Sequence, residues 1–343
     1  MGGPSRVRVA ADCDRLGDEL ARAVAGHMSS RGCDCVLFSG GIDTSFIASS
    51  ALEAGLRPRL VTVELPGASD GAFSRRAAEA LGLQLLVAPS DEESMRSCVR
   101  DAVLVTRSID PIEIAADAAV CLGLRAARDL GCRCVATGDG GDELFLGYPF
   151  LFSYGEKEVE RWYSRVLTGS RFASRDLGPW IGVRVELPLY TDEARRIALE
   201  APLECKVGRR DGRAYGKLLM RRRLERVGLA AIAWRDKVPV TDGSGASSLI
   251  LRWSSEVGLE AAIEASRRSG IAFPSRAHVR LYLEAEAMGI GRPGRCSDPS
   301  ASCPTCGSCM DGGFCRFCGT YVGDGGTISH YSDDLWDKLR ANG

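Results

Sequence analysis

The sequence predicts an α/β fold with a doubly wound, mostly parallel sheet, followed by a helical C-terminal part and a small zinc-binding module. Three observations predict it. Short apolar runs alternate with helical periodicity in the first part of the chain, two glycine-rich acidic loops each follow an apolar run, and cysteines crowd residues 296–319. Because strands joined through helices need crossover connections, this alternation indicates parallel strands.

The individual elements follow from the spacing of the apolar residues. A lead-in helix is predicted over 14–30, with Leu16, Leu20 and Val24 on one face. Four strands are predicted at 33–38, 59–63, 83–88 and 132–136, and the helices that follow or separate them at 44–54, 72–81, 92–106 and 112–129. Residues 246–289 are predicted to form further helices.

Composition and charge limit the function classes. The 343 residues are 45% hydrophobic and 26% charged, which fits an ordinary globular protein of about two domains. A net charge of -1 excludes a surface of uniformly positive potential, so nucleic acid would need a local basic patch. The sequence has no long apolar run and no signal-peptide core at its N-terminus, and we therefore expect a cytoplasmic protein without membrane contact.

The first loop, LFSGGIDTS at 37–45, reads as strand, glycine turn and helix. Two glycines allow backbone N–H groups to converge on an anion, and the N-terminus of the next helix adds partial positive charge. No lysine follows the glycines and a third glycine is missing, which excludes the GxxxxGK[ST] and GxGxxG patterns. The loop is therefore predicted to bind phosphate.

The second loop, TGDGGDELFLGY at 137–148, also combines glycines with carboxylates after an apolar strand. Magnesium takes one or two protein carboxylates and completes its shell with phosphate oxygens and water. Asp43 and Asp142 would supply two carboxylates from neighbouring strand ends. The alternative is that each loop is only a solvated turn, and the occurrence of both loops at corresponding strand ends argues against it.

Five motifs occur in an order that resembles a known family: SGGIDTS, LPGASD (65–70), TGDGGDELFLGY, RVELPLY (184–190) and AWRDKVPVTDGSG (233–245). Over residues 14–250 the chain resembles the synthetase domain of asparagine synthetases and the related beta-lactam synthetases. These are PP-loop ATP pyrophosphatases of the adenine nucleotide alpha hydrolase type. The resemblance implies that ATP converts a carboxylate such as aspartate into an acyl-adenylate, and that ammonia or an amine then displaces AMP.

The resemblance also implies roles for single residues. Asp43 and Asp142 would bind magnesium, and Lys237 would reach the phosphates and stabilise charge developing at the acyl centre. Asp139 stands where the family has a glutamate near the reacting acyl group, and Leu146 replaces a glycine. Lys217 could assist with phosphate or be solvated. The residues expected to hold ATP and pyrophosphate are Leu37, Ser39, Gly40, Gly41, Asp43, Thr44, Ser45, Val63, Thr137, Gly138, Asp142 and Lys217.

Family members that use glutamine carry an N-terminal domain with a nucleophilic cysteine at residue 2. This chain has Gly2 and only a short segment before the first predicted strand. We therefore expect no glutamine hydrolysis within the chain. The nitrogen would come from free ammonia, an amine or a separate amidotransferase partner.

The C-terminal cysteines form two CxxCG knuckles, Cys303/Cys306 and Cys315/Cys318. Two residues between cysteines allow both thiolates to reach one ion, and two such knuckles complete a closed, structural zinc site. Cys309 is a candidate substitute ligand. An iron–sulfur cluster is the alternative, because CxxCxxC also occurs at 303–309.

Four further cysteines precede the two glycine loops: Cys33, Cys35, Cys132 and Cys134. The favoured interpretation is that they are small buried hydrophobic residues. If the two strands are adjacent and parallel, the pairs lie at about the same height, so a cross-strand disulfide or thiol cluster is the alternative.

The predicted organisation has five segments: a lead-in helix (1–30), the PP-loop domain (31–250), a helical extension (251–293), the zinc module (294–325) and a tail (326–343).

Two functions are compatible with this organisation, an amide ligase or a PP-loop enzyme that adenylates a tRNA base. GDGGDE and AWRDK favour the ligase, whereas the cysteine module, the missing glutaminase domain and the arginines of 209–226 would suit tRNA. A homodimer is compatible with either.

Overall fold

The computed structural model describes residues 6–65, 70–235 and 244–333. The chain divides into two compact units. Unit 1 consists of Met1–Glu64, Asp70–Ala88 and Gly123–Val238, and unit 2 consists of Leu65–Ser69, Pro89–Leu122 and Pro239–Gly343.

Unit 1 is built on a five-stranded sheet with the order β3-β2-β1-β4-β5. Its strands are β1 (Cys35–Leu37), β2 (Arg59–Glu64), β3 (Leu85–Pro89), β4 (Cys134–Ala136) and β5 (Arg184–Glu186). β1 pairs in parallel with β2 and β4, and β4 pairs in parallel with β5. The strand order reverses at β1, and open sheets of this kind bind ligands at that switch point, beyond the carboxyl ends of the strands.

The predicted α/β fold and the four predicted strands are confirmed. The fifth strand was not predicted as a strand. β5 has three residues, of which only Val185 is apolar, so no apolar run marks this strand in the sequence.

Helices cover the sheet and make up most of unit 2. In chain order the α-helices of the described residues are α1 (Arg6–Arg31), α2 (Ile42–Glu53), α3 (Asp70–Leu81), α4 (Glu92–Thr106), α5 (Pro111–Asp129), α6 (Gly141–Leu144), α7 (Glu156–Gly169), α8 (Ala173–Ile181), α9 (Asp192–Glu200), α10 (Leu203–Lys206), α11 (Leu218–Arg226), α12 (Ala230–Ala233), α13 (Ala246–Ser254), α14 (Leu259–Ser269) and α15 (Arg276–Ala287). Short 3-10 helices lie at Pro149–Ser153, Pro188–Tyr190, Pro299–Ala301 and Asp324–Gly326, and two hairpins pair β6 (Gly208–Arg210) with β7 (Arg213–Tyr215) and β8 (Tyr321–Val322) with β9 (Ile328–Ser329). Within the described ranges, no helix has the length and apolar character needed to cross a bilayer.

The arginines of α11 pack this helix against α1. Arg222 makes two bonds to the carboxylate of Asp14, at 2.9 and 3.0 Å. Arg226 lies 2.6 Å from Asp18, and Arg223 pairs with the same carboxylate at 2.7 Å. These charges are neutralised within unit 1, so this stretch of α11 is an internal contact between helices and does not form a free basic surface.

The cysteines before the two glycine loops cross-link the centre of the sheet. Cys35 and Cys132 form a disulfide with a Cα–Cα distance of 6.0 Å. The Sγ atoms of Cys33 and Cys134 lie 2.7 Å apart, and both residues are buried. The interpretation as small buried hydrophobic residues is therefore wrong for Cys35 and Cys132, whose cross-strand disulfide confirms the alternative. Cys33 and Cys134 are buried without a disulfide, and the parallel pairing of β1 and β4 brings their sulfurs into contact.

Unit 2 holds the cysteine module against α15 and the segment between α4 and α5. The backbone N–H of Ile109 donates to the carbonyl of Phe317 at 2.7 Å. The imidazole of His278, which is fully buried, hydrogen-bonds the carbonyl of Cys318 at 3.1 Å and the hydroxyl of Ser275 at 2.7 Å. Burial lowers the pKa of His278 to about 3, so the ring is neutral at physiological pH. The module is therefore docked through backbone carbonyls next to its cysteines.

Lys206 ends α10 and is only 4% exposed. Its ammonium lies 4.8 Å from the centre of the Tyr163 ring, and no ion pair to it is present among the described residues. Burial lowers the pKa of Lys206 from 10.5 to about 8. The folded chain therefore binds fewer protons than the unfolded chain between these two pH values, and its stability rises with pH across that interval.

We expect Lys206→Met to raise the free energy of unfolding at pH 7 by about 2 to 3 kcal/mol, because it removes a buried charge without an ionic partner. The gain should shrink as pH rises above 8 and vanish above 10.5, where the lysine is neutral in both states. Urea unfolding at several pH values measures it, with the exposed Lys157→Met as control. A gain that does not change with pH would contradict the assignment.

We expect six cysteines to resist alkylation in unfolded, unreduced protein: Cys13 and Cys205, Cys35 and Cys132, and Cys296 and Cys309. Peptide mapping after alkylation identifies them, and Cys98 and Cys121, which form no disulfide, serve as labelled controls. Replacing both Cys35 and Cys132 by alanine should lower the free energy of unfolding by about 4 kcal/mol, since the bridge closes a loop of about a hundred residues. Full labelling of Cys35 would rule out the bridge.

Candidate nucleotide and metal site

The first predicted phosphate loop connects β1 to α2. Gly40 has a φ of 68°, and a Cβ atom there would lie 2.8 Å from the backbone carbonyl of Phe73, so only glycine fits. The backbone N–H of Gly41 faces the hydroxyl of Ser39 at 3.3 Å. α2 begins at Ile42, which places Asp43 in its first turn, where the helix dipole favours a negative charge.

The second loop connects β4 to the short helix α6 and touches the first. A Cβ atom at Gly141 would collide with the carboxylate of Asp43, so the absence of a side chain is what permits the close approach. Asp142 lies in the first turn of α6. The structure therefore brings the two loops side by side at the switch point of the sheet.

One cation joins the two predicted metal carboxylates. The ammonium of Lys217 lies 2.5 Å from Oδ2 of Asp43 and 3.0 Å from Oδ1 of Asp142. Burial alone would lower the pKa of Lys217, but the two carboxylates outweigh burial and raise it. Asp43 and Asp142 can thus share a cation, and the ammonium occupies the place that a metal ion would take. The carboxylate oxygens fit a magnesium ion, which takes its remaining ligands from phosphate and water.

Backbone geometry brings Lys217 to this position. The residue precedes α11 with a φ of 57°, and its N–H donates to the carbonyl of Phe145 at 2.8 Å. A Cβ atom at Gly147 would collide with the side chains of both Lys217 and Asp142. Leu146, which replaces a glycine of the family pattern, also has a positive φ of 54° and is fully buried. The turn from 145 to 147 therefore makes room for the lysine.

Asp139 braces the second loop. Its Oδ2 accepts hydrogen bonds from the hydroxyls of Thr137, at 2.7 Å, and Ser174, at 2.5 Å. Burial raises the pKa of this carboxyl, and the two hydroxyls oppose the shift. The approach of Asp139 to a reacting acyl group stays a prediction.

Three residues next to the site, Glu143, Tyr148 and Arg235, were not predicted as site residues from the sequence. The phenol of Tyr148 donates to Glu143 at 2.5 Å, and burial, reinforced by the charge of Asp142, raises the pKa of Glu143 to about 7. Arg235 donates to the carbonyl of Gly40 at 3.1 Å, and its guanidinium lies 3.8 Å from the centre of the Phe73 ring. Glu143 and Tyr148 belong to the TGDGGDELFLGY motif and Arg235 belongs to the AWRDK motif, so all three could have been singled out there, but their contacts depend on tertiary structure.

The other residues expected at the site have the following positions. Leu37 and Val63 lie half-buried at the carboxyl ends of β1 and β2, Thr44 and Ser45 are buried in the first turn of α2, and Thr137 and Gly138 open the second loop. Lys237 lies outside the described residues, as do 66–69 of the second motif and 236–243 of the fifth.

The module of unit 2 brings four cysteines together. The Sγ atoms of Cys303, Cys306, Cys315 and Cys318 lie within 4.8 Å of one another, and all four residues are buried. Neighbouring sulfurs are 3.5 to 3.6 Å apart. Sulfurs about 3.8 Å apart are expected around an ion with tetrahedral bonds of about 2.3 Å, so the donor set fits zinc.

The two knuckles repeat one hydrogen-bond pattern. The N–H of Gly307 donates to the carbonyl of Cys303, and the N–H of Gly319 donates to that of Cys315, both at 2.8 Å. Cys309, the candidate substitute ligand, is not part of the cluster, and that prediction is wrong. Its sulfur forms a disulfide with that of Cys296, and the Cα atoms of the two residues lie 4.6 Å apart.

The sequence was compared with known proteins. The model of the family described as asparagine synthase matches residues 15–180. Asparagine synthetase B, glutamine-hydrolyzing, of Escherichia coli K12 is 26% identical over 260 residues, which cover 69% of this chain and 46% of that protein. A putative asparagine synthetase of Methanocaldococcus jannaschii is 26% identical and covers 54% of this chain and 36% of the relative. The chain therefore spans less than half the length of these relatives.

Solved structures give weaker matches. A predicted subunit of tRNA methyltransferase from M. jannaschii aligns with a TM-score of 0.29 at 17% identity, covering 59% of this chain and 91% of that one. NMN synthetase from Francisella tularensis aligns with a TM-score of 0.31 at 12% identity, covering 59% of this chain and 99% of that one.

Proposed function

We propose that this chain, whose residues 15–180 match the asparagine synthase family model, is an ATP-dependent ligase that forms an amide, AMP and pyrophosphate. The supporting observation is the meeting of Asp43 and Asp142 around one cation, between two glycine loops at the switch point of a parallel sheet. A carboxylate substrate such as aspartate would attack the α-phosphorus of ATP, and pyrophosphate would leave. A nitrogen nucleophile would then attack the acyl-adenylate and expel AMP.

The residues of the two loops would position the triphosphate. Backbone N–H groups of Gly40 and Gly41 and the N-terminus of α2 would hold the pyrophosphate. Asp43 and Asp142 would hold a magnesium ion, which supplies charge neutralisation on the phosphates when it is bound. Lys217 would move a positive charge toward the phosphate oxygens, and Lys237 would stabilise charge at the acyl centre.

The nitrogen source and the acyl substrate are part of this proposal. The chain covers less than half of its relatives, which are glutamine-hydrolyzing enzymes by their names. We propose free ammonia, an amine or an amidotransferase partner as the donor. Adenylation of a tRNA base remains the second candidate, and the cysteine module favours it. The arginines of α11 do not support the tRNA candidate, because Arg222, Arg223 and Arg226 are paired with acidic residues of unit 1.

We further propose that the module binds one zinc ion through Cys303, Cys306, Cys315 and Cys318. Four thiolates leave no open position on a tetrahedral ion, so the metal would be structural. The hard oxygen donors of unit 1 and the soft sulfur donors of unit 2 would select different metals.

Pyrophosphate release, measured across the amino acids with ammonium and with bulk tRNA, tests the proposed function. We expect release that depends on aspartate or a similar carboxylate, and at least a hundredfold loss in Asp43→Asn, which removes a metal carboxylate. Asp129→Asn, at an exposed position of α5, is the matched control. Activity of Asp43→Asn within about threefold of the parent would contradict the ligase site, and release that requires tRNA would select the second candidate.

Metal analysis of the purified protein tests the module. We expect one zinc per chain and no iron, loss of the zinc in Cys315→Ser, and retention in Cys98→Ser, which changes another buried cysteine. Removal of the zinc by a chelator should lower the melting temperature because the ion closes the knuckles. Stoichiometric iron with acid-labile sulfide would refute the zinc assignment.

A further inference from the structure

Three charges meet at the candidate site in a nearly closed environment. Lys217 is only 4% exposed, and the side chains of Asp43 and Asp142 are 19% and 22% exposed. In such surroundings water screens charges poorly, so the attraction within the cluster is stronger than at the surface. Removing one partner from such a cluster leaves charge uncompensated.

The fold fixes the ammonium at this place. The backbone of Lys217 has a left-handed conformation, which is unfavourable for a residue with a side chain. Its N–H is bound to the carbonyl of Phe145, and Gly147 leaves space for its methylene groups. A lysine serving only as a surface charge needs none of these features. The position of the ammonium between two carboxylates is therefore built into the turn that precedes α11.

We propose that Lys217 competes with the divalent cation for Asp43 and Asp142, so that the metal binds together with the nucleotide and not ahead of it. This inference rests on the proposed function. Two carboxylates and one ammonium carry a net charge of -1. A free divalent cation would convert the cluster to +1 or would have to displace the lysine without offering it another anion. A metal–nucleotide complex brings phosphate oxygens that accept the ammonium, and the carboxylates then become available to the metal.

A purely structural ion pair predicts something different. If Lys217 only stabilises the fold, its removal lowers stability but does not change the affinity for metal. If it competes with metal, its removal exposes two converging carboxylates, and a divalent cation binds them without nucleotide. Metal affinity in the absence of ATP therefore separates the two roles.

The test is manganese binding to the nucleotide-free protein, measured through the electron paramagnetic resonance signal of free Mn²⁺. We expect weak binding by the wild type and at least tenfold tighter binding by Lys217→Met. Lys217→Arg keeps the charge and should stay weak. Lys206→Met removes another buried lysine of unit 1 and is the matched control, with an unchanged manganese affinity. In metal-free buffer the melting temperature of Lys217→Met should be below that of the wild type, and Mn²⁺ should restore it.

The double variant Asp43→Asn, Lys217→Met should lose the gained affinity, because only one of the two carboxylates remains. If Lys217→Met does not fold, Lys217→Gln, which keeps a polar side chain, is measured in its place. No gain in manganese affinity in a folded variant overturns the proposal. If manganese affinity does not rise but the wild type releases pyrophosphate, the competition is refuted and the proposed ligase reaction stands. If manganese affinity rises but the wild type releases no pyrophosphate, only the proposed reaction is refuted.

Discussion

The contact on which the candidate site depends is the meeting of Asp43 and Asp142 around one positive charge. The ammonium offsets the repulsion between the two carboxylates, which is strong in a partly closed site because water screens charges poorly there. The contact requires β1 and β4 to be neighbours, and it requires glycine at position 141 so that one loop can approach the other. Sheet order and glycine placement therefore serve the same purpose, which is to bring negative charge from two loops to one point.

Other contacts within unit 1 stabilise this arrangement. The Cys35–Cys132 disulfide joins the first residue of β1 to the segment that leads into β4, so the strands carrying both loops are covalently linked. Arg222 and Arg226 hold α11 on α1, and Lys217 lies immediately before α11. A second disulfide, Cys13–Cys205, links α1 to α10. The carboxylates and the lysine thus stand on elements that are tied to one another, which limits the rearrangement needed when ligand binds.

The cysteine module of unit 2 is governed by different chemistry. Its four sulfurs converge through two identical turns, and its backbone carbonyls are bonded by His278 and by the N–H of Ile109. These bonds anchor the turns without using the sulfur atoms. Under the proposed function, a soft metal would stabilise the module and a hard one would bind the loops of unit 1.

The sequence by itself determined the features that depend on local spacing. Apolar periodicity marked four strands and their helices, the glycines marked the two loops, and CxxC spacing marked the cysteines that converge, because each of these patterns acts over a few neighbouring residues. Tertiary structure alone decided which distant groups meet. It placed Lys217 between two carboxylates, paired Arg222 with Asp14, joined Cys309 to Cys296 and added the three-residue strand β5. These outcomes depend on the way elements pack, and residues far apart in the chain carry no periodic signal of the partner they will contact.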